Sequence, residues 1–398
     1  EVAIRACNWI AGYYFFCDST SLPAEFWQRF FKNLLVHGRY IEHHLEYAKR
    51  NGNHLLSDAV GLIFLGIFFR SASFGQRWTT SSVDALQEEM ETQVYPDGVN
   101  YEKSVGYHRL VLELFHTATI LCQYNKIPLH DSFMQRLEKM FEFTLAYTRP
   151  DGSAPVIGDA DDARLFQFSA REDFNDHRHA LSVGALLFNR GDFRAAAGKF
   201  TQDALWLFGG EGFERHQKLE VFPMLPISRG FPEGGFYVMR GNDSHVFIDV
   251  GDIGMRGRGG HGHNDTFGFE LWCNGNPFIV DSGTFTYSGN VKLRNEFRST
   301  AAHNTLMVDG RELADFTGLW SIRSDETQPR VVRWGVENDR CILEAEHSAY
   351  LEMPSRIIHR RQFELVHSPL SLNITDTLEG TGSHLIESFL HFAPSVTV

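Results

Sequence analysis

The chain changes texture between Gly210 and Phe231, and that change limits the folds open to it more than any single motif does. Before it, apolar residues recur at helical spacing; from Gly235 onward, short β-rich runs alternate with turn residues. Residues 3–16 are apolar and aromatic around most of their circumference, as in a covered helix. Pro23 opens a helix whose Phe26, Phe30, Leu34 and Leu35 share one face. Asn51-Gly52-Asn53 then breaks the chain, and Asn53 is expected to cap a buried helix reaching about Phe69. Further helices are expected over 83–93, 105–124, 132–147 and 177–189. Strands are expected at 236–240, 245–250, 267–273, 278–281, 305–308, 330–336, 341–345, 357–366 and 371–376. The fold class is therefore α+β in two parts: a helical region over 1–215 that fits a bundle or toroid, then an antiparallel β-sandwich over 216–398.

A chain of 398 residues is long enough for each part to bury its own core. Its formal charge, 37 − 50 = −13, argues against nucleic acid as a partner. A polyanionic partner would need a locally basic cleft. The richest apolar run, 59–69, falls short of the ~20 residues that cross a bilayer, so no membrane span is expected. The five cysteines are scattered and read as buried thiols rather than a disulfide framework. The acids in 158–162 lack the spacing of an EF-hand loop, and a solvated turn is expected there.

The chemistry concentrates in residues 256–310. His261 and His263 sit among Gly259, Gly260 and Gly262, where nothing bulky shields an imidazole. Asp281 ends an apolar run and His303 precedes another. Each alone is most often a hydrogen-bonded core or surface residue. Together they are the groups that metal binding or acid–base work requires. The helical region offers two clusters at helix N-termini, Asn53-His54 and the stretch from Asn100 through Tyr107 to Arg109. Free backbone N–H groups there favour negative charge, but the residues alone favour the plainer reading, capping by Asn53 and an ordinary boundary tyrosine.

The run HGHNDTFGFELWCNGNPFIVDSGTFTYSG, followed by FRSTAAHNTLMVDG, resembles the signature of the heparinase II/III family of polysaccharide lyases. The resemblance implies an incomplete (α/α) toroid joined to an antiparallel β-sandwich. It maps catalytic roles onto Asn53, His54, Tyr107 and His261, and a structural Zn²⁺ onto His263, Asp281 and His303. Arg256, Arg258, Arg294 and Arg298 flank the motif. From these, Arg258 and Arg298, with Asn100 and Arg109, are the expected contacts for substrate carboxylate or sulfate. Some members carry a Glu three residues after the catalytic His, where this chain has Ser57; no role is transferred there, and the epimer of the uronic acid stays open.

The implied reaction is β-elimination on an acidic, uronic-acid-containing polysaccharide, leaving 4,5-unsaturated ends. Donors must neutralise the carboxylate next to C5, a base must take the C5 proton and an acid must protonate O4. Tyr107 can act in either proton transfer. By the same resemblance the protein is expected in the periplasm or outside the cell, although Glu1 opens no visible signal peptide. Part of the natural C-terminal region is expected to lie beyond Val398. Two other readings stay open. One is a glycoside hydrolase using Asp97 with Glu102 or Asp159. The other is a non-catalytic polysaccharide-binding protein.

Overall fold

The computed structural model describes residues 1–168, 174–222, 227–337 and 339–397. Helices come first: α1 (Val2–Phe16), α2 (Ala24–His43), α3 (Asn53–Phe68), α4 (Ser73–Gln93), α5 (Val105–Tyr124), α6 (Asp131–Tyr147), α7 (Arg178–Leu187), α8 (Gly191–Ala197) and α9 (Gln202–Lys218). Each packs on its neighbours in sequence or on the next but one, which produces the curved, open arrangement of an incomplete helical toroid. α3 is apolar on nearly every side because helices cover it on nearly every side. Close packing relies on small residues: a Cβ at Gly61 would strike Ala3, and one at Gly38 would strike the ring of Trp78. Among the described residues no helix is long and apolar enough to cross a membrane.

Three helical expectations need correction. α4 begins at Ser73, well before the expected start at 83. In the run Thr79–Ser82, just before that expected start, Thr79 and Ser81 bond back to the carbonyls of Gly75 and Arg77 inside the helix. α8 and α9 were not anticipated, and α9 carries helix past residue 215 to Lys218. Its Gly209, at φ 64°, breaks the apolar period that would have revealed it.

The strands form two main antiparallel sheets. One is a meander of β1 (Arg229–Phe231), β2 (Phe236–Gly241), β3 (Ser244–Asp249), β4 (Phe269–Cys273) and β5 (Asn276–Ile279). The other runs β12-β11-β10-β9, from β9 (Arg330–Val336), β10 (Arg340–His347), β11 (Ile358–His367) and β12 (Leu370–Glu379). Between them lie α10 (Val291–Phe297), β6 (Leu306–Val308), β7 (Phe316–Gly318) and β8 (Ser321–Ile322); β13 (Ile386–Ser388) returns to pair with β6. The sandwich core joins Met239, Val246, Ile248 and Phe269 of the first sheet to Leu343, Phe363 and Leu365 of the second.

β3 is buried on both faces, which explains why its successive residues Val246, Phe247 and Ile248 are all apolar. Val246 and Ile248 face the sandwich core, whereas Phe247 enters a second core with Phe231, Phe236, Phe143 of α6 and Val105 of α5. Helices and sheets thus share a core. Polar links reinforce the seam: Arg149 pairs with Glu270, Trp272 Nε1 donates to Asp151 at 3.1 Å, and the Val156 amide donates to Glu270 at 2.9 Å.

Candidate active site

At one end of that seam lies a cleft of about 490 Å³. Its helical wall carries Asn53 and His54 from the start of α3, Glu102, and Tyr107 from the first turn of α5. Its sheet-side wall carries Arg258, His261, Tyr287 and Trp320. The rings of Tyr107 and His261 stack with centroids 3.6 Å apart and planes 18° from parallel. All four residues expected to be catalytic therefore line one cavity.

Local chemistry explains how each is held. The Ser104 hydroxyl caps α5 by accepting from the Tyr107 amide at 3.0 Å, which fixes the turn that projects the phenol. That phenol donates to Asp161 at 3.0 Å. Burial, followed by the negative charge of Asp161, raises Tyr107 above its ordinary value, so it rests protonated. Asn53 is not the cap that was expected. It is the first residue of α3, after Gly52, and its amide N–H donates to Glu102 at 2.9 Å while its side chain donates to both Glu102 oxygens at 3.3 Å. An anionic group does sit at this helix N-terminus, and it is the protein's own Glu102. His54 is 69% exposed on the side chain and pairs with Glu46 at 2.7 Å.

Behind His261 lies Asp159, with no exposed surface. It accepts from His261 Nδ1 and His263 Nε2 at 2.9 Å each, from Thr284 Oγ1 at 3.1 Å and from both terminal nitrogens of Arg294. Burial opposes its charge, but the two histidines hold the carboxyl well below the usual range. The solvated turn expected at 158–162 is thus wrong for Asp159. Gly158 makes the approach possible: at φ 67° its missing side chain leaves room for the carbonyls of His261 and Lys103.

The expected metal ligands gather deeper. His303 Nδ1 donates to Asp281 at 2.7 Å, and the His263 and His303 rings lie 5.2 Å apart. Burial works against a charge on His303, yet Asp281 and then Asp265 push its pKa up to about 9. His263 Nδ1, His303 Nε2 and Asp265 Oδ2 are buried without a hydrogen-bond partner. With both rings neutral, these two imidazole nitrogens carry lone pairs beside carboxylates, which are the donors that zinc takes as protons leave. Among the described residues no three His, Cys, Asp or Glu side chains already converge closely enough to enclose an ion.

The expected substrate contacts divide. Arg258 lines the cleft, its guanidinium bonded to the Arg50 carbonyl at 3.2 Å. Asn100, Arg109 and Arg298 do not line it. Asn100 is buried, donating to the Gln93 carbonyl and accepting from the Glu102 amide. Arg109 is buried against the carbonyls of Asp161, Ala163 and Phe174, and Arg298 against those of Gly318 and Leu319. Backbone oxygens already occupy the donors that substrate would need. Of the hydrolase candidates, Asp97 is spent on the amides of Val99 and Gly234, and Asp159 sits behind His261, so no pair of carboxylates faces the cavity from these three.

Asp161, Tyr287 and Trp320 were missed. A usable signal existed for the first: the apolar Ala154–Ile157 run leads straight into 158–162, so that loop dives inward. Tyr287 and Trp320 stand in turn-rich sequence with no such mark.

A family model described as the heparinase II/III N-terminus matches residues 1–178, and one described as heparinase II/III-like, C-terminal, matches residues 223–398. A heparin-sulfate lyase of Bacteroides stercoris is 27% identical over 369 residues, which is 89% of this chain and 48% of that protein. A heparin-sulfate lyase of Pedobacter heparinus is 26% identical over 393 residues, 96% of this chain and 52% of that protein. This chain spans about half the length of the curated relatives it matches. A crystal structure of heparinase III shares the fold at a TM-score of 0.74 and 20% identity, over 96% of this chain and 55% of that one.

Proposed function

The chain belongs to the heparinase II/III-like family, and from that premise we propose that it is a polysaccharide lyase that cleaves uronic-acid polymers by β-elimination. The observation that carries this reading is the stacking of Tyr107, from the helices, on His261, from the sheets, in a cleft that Asn53 also lines. A uronate enters with its carboxylate toward Asn53, whose amide exchanges Glu102 for substrate, while Arg258 adds positive charge at the wall. With the carboxylate neutralised, the C5–H bond breaks and His261 Nε2 takes the proton. The electron pair forms the C4–C5 double bond as the C4–O4 bond breaks, and Tyr107, protonated at rest, delivers its proton to O4. His261, charged by the first transfer, then restores its stacked neighbour.

The substrate class proposed is an acidic polysaccharide of the heparan sulfate type, following the names of the relatives, with action in the periplasm or outside the cell. A zinc ion is proposed on His263, Asp281 and His303, with Asp265 alongside. It would neutralise buried carboxylates and brace the loop that presents His261, as a structural ion coupled to folding. Chelation is then expected to lower the melting temperature, and elemental analysis to find one equivalent of zinc. Stability unaffected by chelation, in protein free of metal, would remove the ion from the proposal.

Incubation with heparan sulfate, hyaluronan and alginate, read by ultraviolet absorbance of the conjugated uronate, tests the reaction. New absorbance with at least one polymer is expected. Saturated fragments would replace the lyase with a hydrolase, and binding without cleavage would leave a binding protein.

A further inference from the structure

We propose that Asp159 is a positioning residue that sets the tautomer of His261 and so decides which ring nitrogen faces substrate. The proposal rests on the lyase reading for its consequence but not for its geometry. Asp159 comes from the loop after α6, yet its side chain lies wholly among sheet-side groups. One oxygen accepts from His263 Nε2, Thr284 Oγ1 and Arg294 Nη1; the other accepts from His261 Nδ1 and Arg294 Nη2. A carboxylate can only accept, so every one of those partners must donate.

Two assignments follow. His261 carries its proton on Nδ1, which leaves the neutral ring a lone pair on Nε2, the atom that lies 3.5 Å from Glu102 beside the cleft. His263 carries its proton on Nε2, which leaves the lone pair on the partnerless Nδ1. Arg294 pairs with the carboxylate in this dry place and is itself completely buried, its guanidinium 5.1 Å from the Trp320 ring centre and 5.4 Å from that of Tyr287.

The backbone of the same residue ties the site together. Its amide donates to the His261 carbonyl at 2.8 Å, and its carbonyl accepts from Ser104, the hydroxyl that caps the helix bearing Tyr107. A single residue thus aligns both stacked rings. The carboxylate–imidazole logic is the one that holds a catalytic histidine in its basic tautomer in unrelated enzymes.

The variant that tests this is Asp159→Asn. An amide must turn an NH₂ toward donors that already point at it, so His261 is expected to move its proton to Nε2. The kcat is expected to fall by ~10²–10⁴, as for loss of a general base, while KM changes only a few-fold. Nitrogen-15 NMR of the imidazoles, with His261 assigned by its loss in His261→Gln, is expected to show protonated Nδ1 in the unmodified protein and protonated Nε2 in Asp159→Asn. An unchanged kcat in folded Asp159→Asn would overturn the proposal. If that variant does not fold, the unmodified protein decides: a neutral His261 protonated on Nε2 overturns the proposal, and one protonated on Nδ1 supports it. Lack of unsaturated product from the unmodified protein would overturn the lyase reading instead, leaving the tautomer result to stand by itself.

Discussion

The sheet region holds two buried histidine clusters that look alike in composition and differ in what they leave free. His261, His263 and His303 are bound to Asp159 and Asp281, yet His263 Nδ1 and His303 Nε2 have no partner and His261 borders a cavity. His347 and His359 sit against Asp376 and Arg361, and every ring nitrogen is used. His359 bonds His347 at 3.0 Å and Asp376 at 2.7 Å, and His347 Nδ1 accepts from the Ala349 amide. Asp376 is bound on both oxygens by Arg361, which also donates to the carbonyls of Phe267 and Asn304. The second cluster is a closed network that ties β10, β11 and β12 together. A histidine cluster points to chemistry when some of its capacity is unspent, and to architecture when none is.

The comparison is sharpened most by Tyr107→Phe, which removes one hydroxyl from the open cluster's neighbour. Turnover is expected to fall by ~10²–10⁴ with little change in melting temperature, because the ring and its stacking on His261 remain. Near-normal turnover would break the assignment. The opposite behaviour is expected of His359→Ala. It strips partners from His347 and Asp376 and opens a cavity, costing ~2–4 kcal/mol by denaturant titration, with kcat retained where the protein stays folded. A kcat loss matching that of Tyr107→Phe would mean that the two clusters are not separate in role.

A smaller effect comes from acid. Burial lowers both His347 and His359 below their ordinary value. The folded state therefore binds fewer protons than the unfolded one, so the stability these residues contribute is complete above pH ~6.5 and is lost as pH falls below it. The slope is at most ~1.4 kcal/mol per pH unit for each histidine. Asp376, held low by His359 and Arg361 against burial, adds to the loss only below pH ~4. Melting curves from pH 7 to 5 are expected to decline in the unmodified protein and to decline less in a His347→Gln variant. Equal slopes would assign the acid sensitivity elsewhere.

Much of this was legible from residues alone, and the exceptions share a cause. β9 was read at Arg330–Val336 because a β-rich run and flanking turn residues bracket it. β1, β7, β8 and β13 are three residues or fewer, too short to show any period. Asn53, His54, Tyr107 and His261 were found through family resemblance, and the structure gathers them in one cleft. Arg109 and Arg298 looked like ligand contacts because positive charge near a site reads that way. Their partners are turn carbonyls such as those of Gly318 and Leu319, which no side-chain pattern announces. Asp159 was misread for a related reason. Acids in a Gly- and Pro-rich loop look solvated until the partners that bury this one arrive from 102 and 135 residues away.

Those separations carry a consequence for how the protein comes to life in time. Loop closure over such spans is slow relative to helix and hairpin formation, and here it must finish before His261 meets Tyr107. During refolding from denaturant, far-ultraviolet circular dichroism is therefore expected to recover ahead of activity, with the joint Phe143–Phe247 core closing in the interval. On the lyase reading, the return of turnover would time the docking of the two parts.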